Sequence, residues 1–246
     1  MIAIDNQSLL CVWEEAALMQ PAQRSLFILS SLIPHSCYHS ITVGERNRQL
    51  MVLRQYLFGD KLDAISYCPT CKARTEVEFF VSDFLSSFSE ENLDQPPDSP
   101  HESHHGDFRV RWTLPTARDV AELSSFSNVA SARESLLKKC LVEVLRDNAQ
   151  VDVAHCPTDL VEFISGEIDR LDPLSDTTLR LKCPDCELGW ESPFEIGQFL
   201  WSEIDTYSRN LLNDVHLLAT AYGWDELSIL GLSNSRRRYY LELIAA

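Results

Sequence analysis

Four cysteines stand in two matching short settings, Cys68-Pro-Thr-Cys71 and Cys183-Pro-Asp-Cys186, 115 positions apart. Two residues between the thiols let both sulfurs of a pair face one ion. Two such pairs supply the four thiolates that suit a tetrahedral Zn2+. Cys-Pro-x-Cys also serves thiol–disulfide exchange, but that chemistry needs the first cysteine at a helix N-terminus, where the dipole lowers its pKa. Here the residues after each pair alternate as in a strand: Thr75, Val77, Phe79, Val81 in one copy and Trp190, Phe194, Ile196 in the other. The remaining reading is coincidence, four buried free thiols. Four thiolates close the coordination sphere and leave no position for water, so the ion expected is one structural Zn2+ held by Cys68, Cys71, Cys183 and Cys186, with no catalytic residue among them.

The pairs belong to a longer repeat. Residues 68–85 read CPTCKARTEVEFFVSDFL and residues 183–200 read CPDCELGWESPFEIGQFL. Cys68, Pro69, Cys71, Phe79, Phe84 and Leu85 match Cys183, Pro184, Cys186, Phe194, Phe199 and Leu200 without a gap. Upstream the match decays, with Tyr67 facing Lys182 and Ile65 facing Arg180. This predicts two β-knuckle-β units about a pseudo-twofold axis with zinc near it. The fold class expected is α+β, predominantly helical with an embedded split zinc ribbon of four cysteine ligands.

The elements that must position these units follow from periodicity. Residues 8–19 and 22–33 read as a helical hairpin broken near Pro21. Val43–Phe58 has helical spacing, with Leu50, Leu53 and Leu57 on one side and Gly59 as the stop. Residues 88–107, FSEENLDQPPDSPHESHHGD, are almost free of apolar side chains and read as a flexible connector that keeps His101, His104 and His105 solvated. A strand is expected at Phe108–Thr113, then a helix capped by Thr116, then helices over 130–146 and 157–171. The end reads as helices at about 197–221, at 224–230 and after Ser233. The segments are therefore 1–59 (N-terminal helices), 60–87 (first knuckle unit), 88–107 (connector), 108–172 (strand plus helices), 173–200 (second knuckle unit) and 201–246 (C-terminal helices), expected to pack as one composite domain.

Other residues that could carry chemistry have a plainer reading beside them. Cys11, Cys37, Cys140 and Cys156 are expected to be small buried hydrophobes. His35, Cys37 and His39 would share a strand face and could hold a second metal, yet no fourth ligand accompanies them. Arg236-Arg237-Arg238, followed by Tyr239-Tyr240 and preceded by Trp224, reads either as a solvated helix face or as a docking point for an acidic protein partner. Trp190, Trp201, Tyr222 and Trp224 read more readily as core than as a ligand platform. The formal net charge of −16 over 246 residues opposes broad contact with nucleic-acid phosphates or anionic lipid. The CxxC pairs point to a reducing compartment, and the N-terminal stretch MIAIDNQSLLCVWEE has no basic region of a leader type. No nucleophile elbow, phosphate-binding glycine loop or HExxH motif is present in the sequence.

Four segments together carry a resemblance: VGERNRQLMVLRQYLFGDKLDAISYCPTCKARTEVEF, LPTARDV, LKCPDCELGWESPFEIGQFLWSEI and LLNDVHLLATAYGWDELSILGLSNSRRRYYLELI. The chain resembles proteins of similar length encoded within contractile phage-tail-like and extracellular contractile injection system clusters. Those are described as baseplate-associated and look similar to the baseplate hub assembly factors of T-even phages. The resemblance runs from Val43 to the C-terminus. It implies a bacterial or phage origin, a non-enzymatic role in building a baseplate, baseplate or hub proteins as partners, and a place in the bacterial cytoplasm during assembly. Its paired cysteines fall on Cys68, Cys71, Cys183 and Cys186. Its members often carry Gly after the second cysteine of each pair, where this chain has Lys72 and Glu187. Two readings from other classes stay open: a zinc-ribbon adaptor in transcription or nucleic-acid handling, and a thiol–disulfide oxidoreductase.

Overall fold

A computed structural model describes residues 4–33, 38, 40–86 and 99–245. The elements in chain order are α1 (Asn6–Ala16), α2 (Pro21–Leu32), α3 (Val43–Phe58), β1 (Lys61–Tyr67), β2 (Arg74–Phe80), α4 (Val81–Ser86), β3 (His101–His105), β4 (Phe108–Trp112), α5 (Ala117–Leu123), α6 (Val129–Cys140), β5 (Leu141–Arg146), β6 (Ala149–Gln150), α7 (Thr158–Leu171), β7 (Thr178–Lys182), β8 (Gly189–Pro193), α8 (Ile196–Tyr222), α9 (Glu226–Leu230) and α10 (Asn234–Ala245). The fold is α+β, helices together with three small antiparallel sheets ordered β1-β2, β3-β4-β5-β6 and β7-β8. Contacts group it into two compact units, Met1–His35 with Gly197–Ala246, and Ser36–Ile196. The helices of the expected 1–59 segment are thus divided, α1 and α2 in the first unit and α3 in the second. Among the described residues no helix is long and apolar enough to cross a membrane.

Local chemistry sets the boundaries. Asp5 caps α1 by accepting from the Ser8 N–H, and Pro21 opens α2 at a position where its missing N–H and fixed φ do no harm. Thr42 caps α3, and Gly59 ends it at φ 90°, as the sequence predicts. Thr116 caps α5 in a reciprocal box with Asp119.

In the Ser36–Ile196 unit, the four-stranded sheet buries Val110, Trp112, Leu141 and Val144 against Leu160 and Ile164 of α7, whose i, i+4 spacing puts both on one face. Two expectations fail here. The helix predicted over 130–146 stops at Cys140, and Leu141–Arg146 forms β5: Leu141 and Val144 reach the core only from a strand paired to β4. The register shifts by one residue at a bulge between Arg111 and Trp112, where Arg111 faces Glu143 and Trp112 faces Leu141. The second half of the expected connector is also ordered. His101–His105 is β3, fixed by its ladder to β4, by Trp112 Nε1 donating to Ser103 Oγ (3.0 Å), and by His101 and His105 against the rings of Trp112 and Phe163. Burial against Trp112 lowers the His101 pKa. The first half of that connector, residues 88–98, lies outside the described residues.

In the other unit, Leu10, Leu211 and Leu230 form a core with Trp13, Tyr207 and Val215 beside it. Asn6 ties three elements together: its amide donates to the Leu230 carbonyl (3.0 Å) and accepts from the Tyr207 hydroxyl (2.7 Å). Trp13 donates to Asp205 (2.8 Å), and the Arg24 guanidinium lies 4.2 Å from the Trp201 ring.

Candidate metal centre

Each cysteine pair sits on the turn of a β-hairpin, and the two turns share one set of backbone bonds. The Cys68 N–H donates to Ala73 O (3.0 Å) and the Lys72 N–H to Cys68 O (3.0 Å). The Cys183 N–H donates to Leu188 O (2.9 Å) and the Glu187 N–H to Cys183 O (3.2 Å). Every partner is displaced by the same 115 positions. The displacement extends into the strands, where Tyr67↔Arg74 corresponds to Lys182↔Gly189 and Asp63↔Glu78 to Thr178↔Pro193. It extends also to the helix starts, Val81 of α4 and Ile196 of α8. Upstream, where the sequence match decays, the strands still pair in equivalent register, because a ladder is made by backbone and tolerates the exchange of Ile65 for Arg180.

Lys72 (φ 62°) and Glu187 (φ 59°) both occupy the left-handed region that suits glycine. A side chain there costs on the order of 1 kcal/mol. These are the positions where the resemblance leads one to expect Gly.

The two turns bring their sulfurs to one point. The four Sγ atoms lie within 4.8 Å of one another. Cys68 Sγ is 3.6 Å from Cys186 Sγ, and Cys71 Sγ is 3.5 Å from Cys183 Sγ. The first cysteine of each turn thus meets the second of the other, as a local two-fold requires. A tetrahedral ion with metal–sulfur bonds of about 2.3 Å has sulfur–sulfur edges of about 3.8 Å, so the donor set matches such an ion in number, softness and spacing. Cys68 and Cys183 are buried and Cys71 and Cys186 exposed.

The thiols differ in how readily they ionise. The N–H of Cys71 first, then that of Thr70 and the neighbouring thiols, draw Cys68 down to about 6 against the effect of burial. For Cys71 the N–H of Ala73 pulls downward, but hydrogen bonds with Cys183, Cys186 and Cys68, together with burial, push it up to about 12. Cys186 is likewise raised: the Leu188 N–H pulls it down, but Cys183, burial and Cys68 prevail. Cys68 is thus held toward its thiolate form and Cys71 and Cys186 toward the neutral thiol.

The same local axis passes the aromatic residues behind the turns. Phe79 and Phe194, equivalent by the displacement of 115, meet edge to face at 5.1 Å, and Phe84 stacks on Phe194 at 5.5 Å. The sequence repeat pairs these phenylalanines, but a strand alternation alone does not reveal that they touch. Helix α3 holds both hairpins from its two ends. At its C-terminus Arg54 Nη1 donates to Gly59 O (2.6 Å) and Gln55 Nε2 to Asp60 Oδ1 (2.9 Å), just before β1. At its N-terminus the Gly44 N–H donates to the buried Asp172 Oδ2 (2.8 Å) and Asn47 Nδ2 donates to Leu174 O (2.7 Å), just before β7. Gly44 is required: a Cβ there would lie 1.9 Å from Asp172 Oδ1. Burial raises the Asp172 pKa, with the Gly44 N–H and Thr42 hydroxyl pulling the other way.

The other candidate residues fare differently. Arg237 is not a docking charge. It is buried, with Nε donating to Asp214 Oδ2 (3.0 Å) and Nη2 to Asn234 Oδ1 (3.0 Å), which pins α10 to α8. Arg236 and Arg238 are exposed. With Arg237 turned inward, the 100° helical step puts Arg236, Tyr239 and Leu243 on the outward stripe of α10, where Tyr239 is 60% and Leu243 52% exposed. Trp224 stacks on Tyr222 at 4.8 Å and meets Tyr240 edge-on at 4.9 Å. Cys140 is buried, its thiol pushed up to about 12 by desolvation, while Cys11 is exposed, contrary to expectation, and Cys156 is half-buried. His35, Cys37 and His39 lie outside the described residues.

Residues 10–188 match a family described as T4 bacteriophage base plate protein, and the chain belongs to that family. The match contains both cysteine pairs. It takes in α2 and the part of α1 from Leu10 on, which the sequence resemblance left out, and ends before α8–α10, which that resemblance included. No curated protein and no solved structure matches the chain.

Proposed function

We propose that the protein is a non-enzymatic assembly factor or minor structural component of the baseplate of a contractile phage-tail-like injection system, with its hairpins clamped by one structural Zn2+. The observation that carries this reading is the family match across residues 10–188, which spans both cysteine pairs. Cys68, Cys71, Cys183 and Cys186 would hold the ion. Four thiolates saturate zinc, so the ion supplies folding energy and no site for substrate. Among the readings from other classes, nucleic-acid handling is opposed by the net charge of −16. Thiol–disulfide exchange is opposed by the position of all four cysteines on β-turns, away from helix N-termini.

The protein acts in the bacterial cytoplasm while particles are built, and its partners are baseplate or hub proteins. Docking uses the outward stripe of α10, where Arg236 and Arg238 flank Tyr239 and Leu243 near Trp224: residue types that dominate binding energy at interfaces, carrying positive charge within an acidic chain. The test is the double variant Arg236→Glu/Arg238→Glu in cells that make the particle. A folded variant with normal metal content should fail to co-purify with baseplate proteins and should lower the yield of complete particles. Normal yield would remove the stripe from the reading, and loss of the whole chain without effect on baseplates would remove the reading itself.

A further inference from the structure

The thiol–thiol hydrogen bonds run across the hairpins, Cys68 to Cys186 at 3.6 Å and Cys71 to Cys183 at 3.5 Å. The Cys183 sulfur also accepts from the Cys186 N–H at 3.5 Å. Each crossed pair joins one exposed and one buried cysteine. We propose that the four thiols are also a redox site: an oxidant of the peroxide class converts them into two disulfides, Cys68–Cys186 and Cys71–Cys183, which keep the hairpins tied after the ion has left. The release of an ion rests on the zinc reading above, whereas the choice of disulfide partners rests on the hairpin geometry alone.

One sulfur of a crossed pair attacks the peroxide as its thiolate; a sulfur–oxygen bond forms, the O–O bond breaks and hydroxide leaves. Its partner across the hairpins then attacks that sulfenic sulfur, a sulfur–sulfur bond forms, the sulfur–oxygen bond breaks and a second hydroxide leaves. The two hydroxides take up the two thiol protons in the metal-free chain, or two protons from solvent where the sulfurs are already thiolates, giving two waters for each peroxide reduced; two peroxides complete both pairs. Disulfide sulfurs carry no charge, so the four residues would no longer hold a divalent cation. Linkage within a turn, Cys68–Cys71 or Cys183–Cys186, would close only a four-residue stretch and free the hairpins from each other. Crossed linkage closes loops spanning 118 and 112 positions and preserves the clamp. The clamp then serves in a reducing cytoplasm as a metal site and in oxidising surroundings as two disulfides.

The experiment uses the full chain carrying Cys11→Ser, because Cys11 is exposed, with metal content measured first. Hydrogen peroxide is titrated in while a chromophoric chelator follows the ion and non-reducing peptide mass spectrometry maps the links. Expected are ion release, the loss of four hydrogens, and peptides joined Cys68–Cys186 and Cys71–Cys183. The oxidised chain should keep its melting temperature in chelator and lose it when a thiol reductant is added. Links within the turns, or sulfinic acids without links, overturn the proposal. A chain purified without metal refutes the zinc reading, and the crossed links are then expected in the metal-free chain. A Cys71→Ser/Cys183→Ser variant, unable to hold the ion with four sulfurs, should still form Cys68–Cys186 on oxidation. If it does not, the crossed geometry is wrong.

Discussion

The first hairpin runs through two seven-residue strands into the six-residue α4, whereas the second uses five-residue strands and leads into the 27-residue α8. Their surfaces differ as well. Ile65 faces Glu76 across the first hairpin, and at the equivalent place Arg180 forms an ion pair with Glu191 at 3.4 Å. Against this divergence the turn bonds, the left-handed residue after the second cysteine, the sulfur positions and the central phenylalanine are the same. What the two share is what four sulfurs around one point demand; strand length and surface charge are free to differ because neither moves a sulfur.

The largest expected effect comes from breaking that equivalence at the sulfurs. Cys71→Ser and Cys186→Ser occupy equivalent corners, so each should abolish tight metal binding and lower the melting temperature to the same extent. Binding energies of structural zinc sites reach about 10–16 kcal/mol. Losing even about 3 kcal/mol of that should shift the melt by roughly 6–12 °C, measurable by calorimetry with metal analysis. Two clearly unequal shifts would show that one hairpin is folded without the other. Next come the phenylalanines. Phe79→Ala and Phe194→Ala should each destabilise by about 3 kcal/mol. Because the rings touch, the double variant should fall short of the sum by about 0.5–1.5 kcal/mol; full additivity in denaturant titrations would place the rings apart.

A smaller effect separates the anchors of the hairpins. The Asp172 carboxyl, next to the second hairpin only, is raised above its ordinary 3.8 by burial. A raised folded pKa means that its contribution to stability is fully present below the unfolded value and is lost as pH rises through the folded one. Asp172→Asn keeps an acceptor for the Gly44 N–H, gives up the second oxygen that accepts from the Thr42 hydroxyl, and does not titrate. Its melting temperature relative to the parent should therefore climb as pH is raised from about 4 to 7, and a flat difference would mean that the carboxyl is not desolvated. The smallest effect is at the left-handed turn residues. Lys72→Gly and Glu187→Gly should each stabilise by about 0.5–1 kcal/mol, and nearly equally, because φ is nearly the same in both; a loss would mean that the Lys72 Nζ bond to Pro69 O (2.9 Å) or the Glu187–Lys182 ion pair (3.8 Å) outweighs the backbone strain.

Much of the centre was legible because thiol chemistry and β-turn geometry are local. Cys-Pro-x-Cys repeated with the same following residues specifies turn, strand and helix start, and α3 shows its cap, its apolar spacing and its stopping glycine. Elements whose identity depends on a neighbour were not legible. KKCLVEVL fits a helix by spacing, yet Leu141 and Val144 complete a sheet whose partner strand β4 lies upstream, on the far side of α5 and α6. HESHH has no strand composition and is held by Trp112 and Phe163. Arg237 is indistinguishable from Arg236 and Arg238 in the sequence, and only the place of Asp214 one helix away turns it inward.

The separation of the two cysteine pairs also sets a clock. Translation proceeds at about 5–20 residues per second, so the first pair leaves the ribosome roughly 6–23 s before the second. During that interval Cys68 and Cys71 stand without the other two sulfurs of the cluster. The cluster is complete once Cys186 has emerged, and its completion brings together chain made at both ends of that wait. On the zinc reading, metal supply during synthesis is part of how this chain reaches its fold.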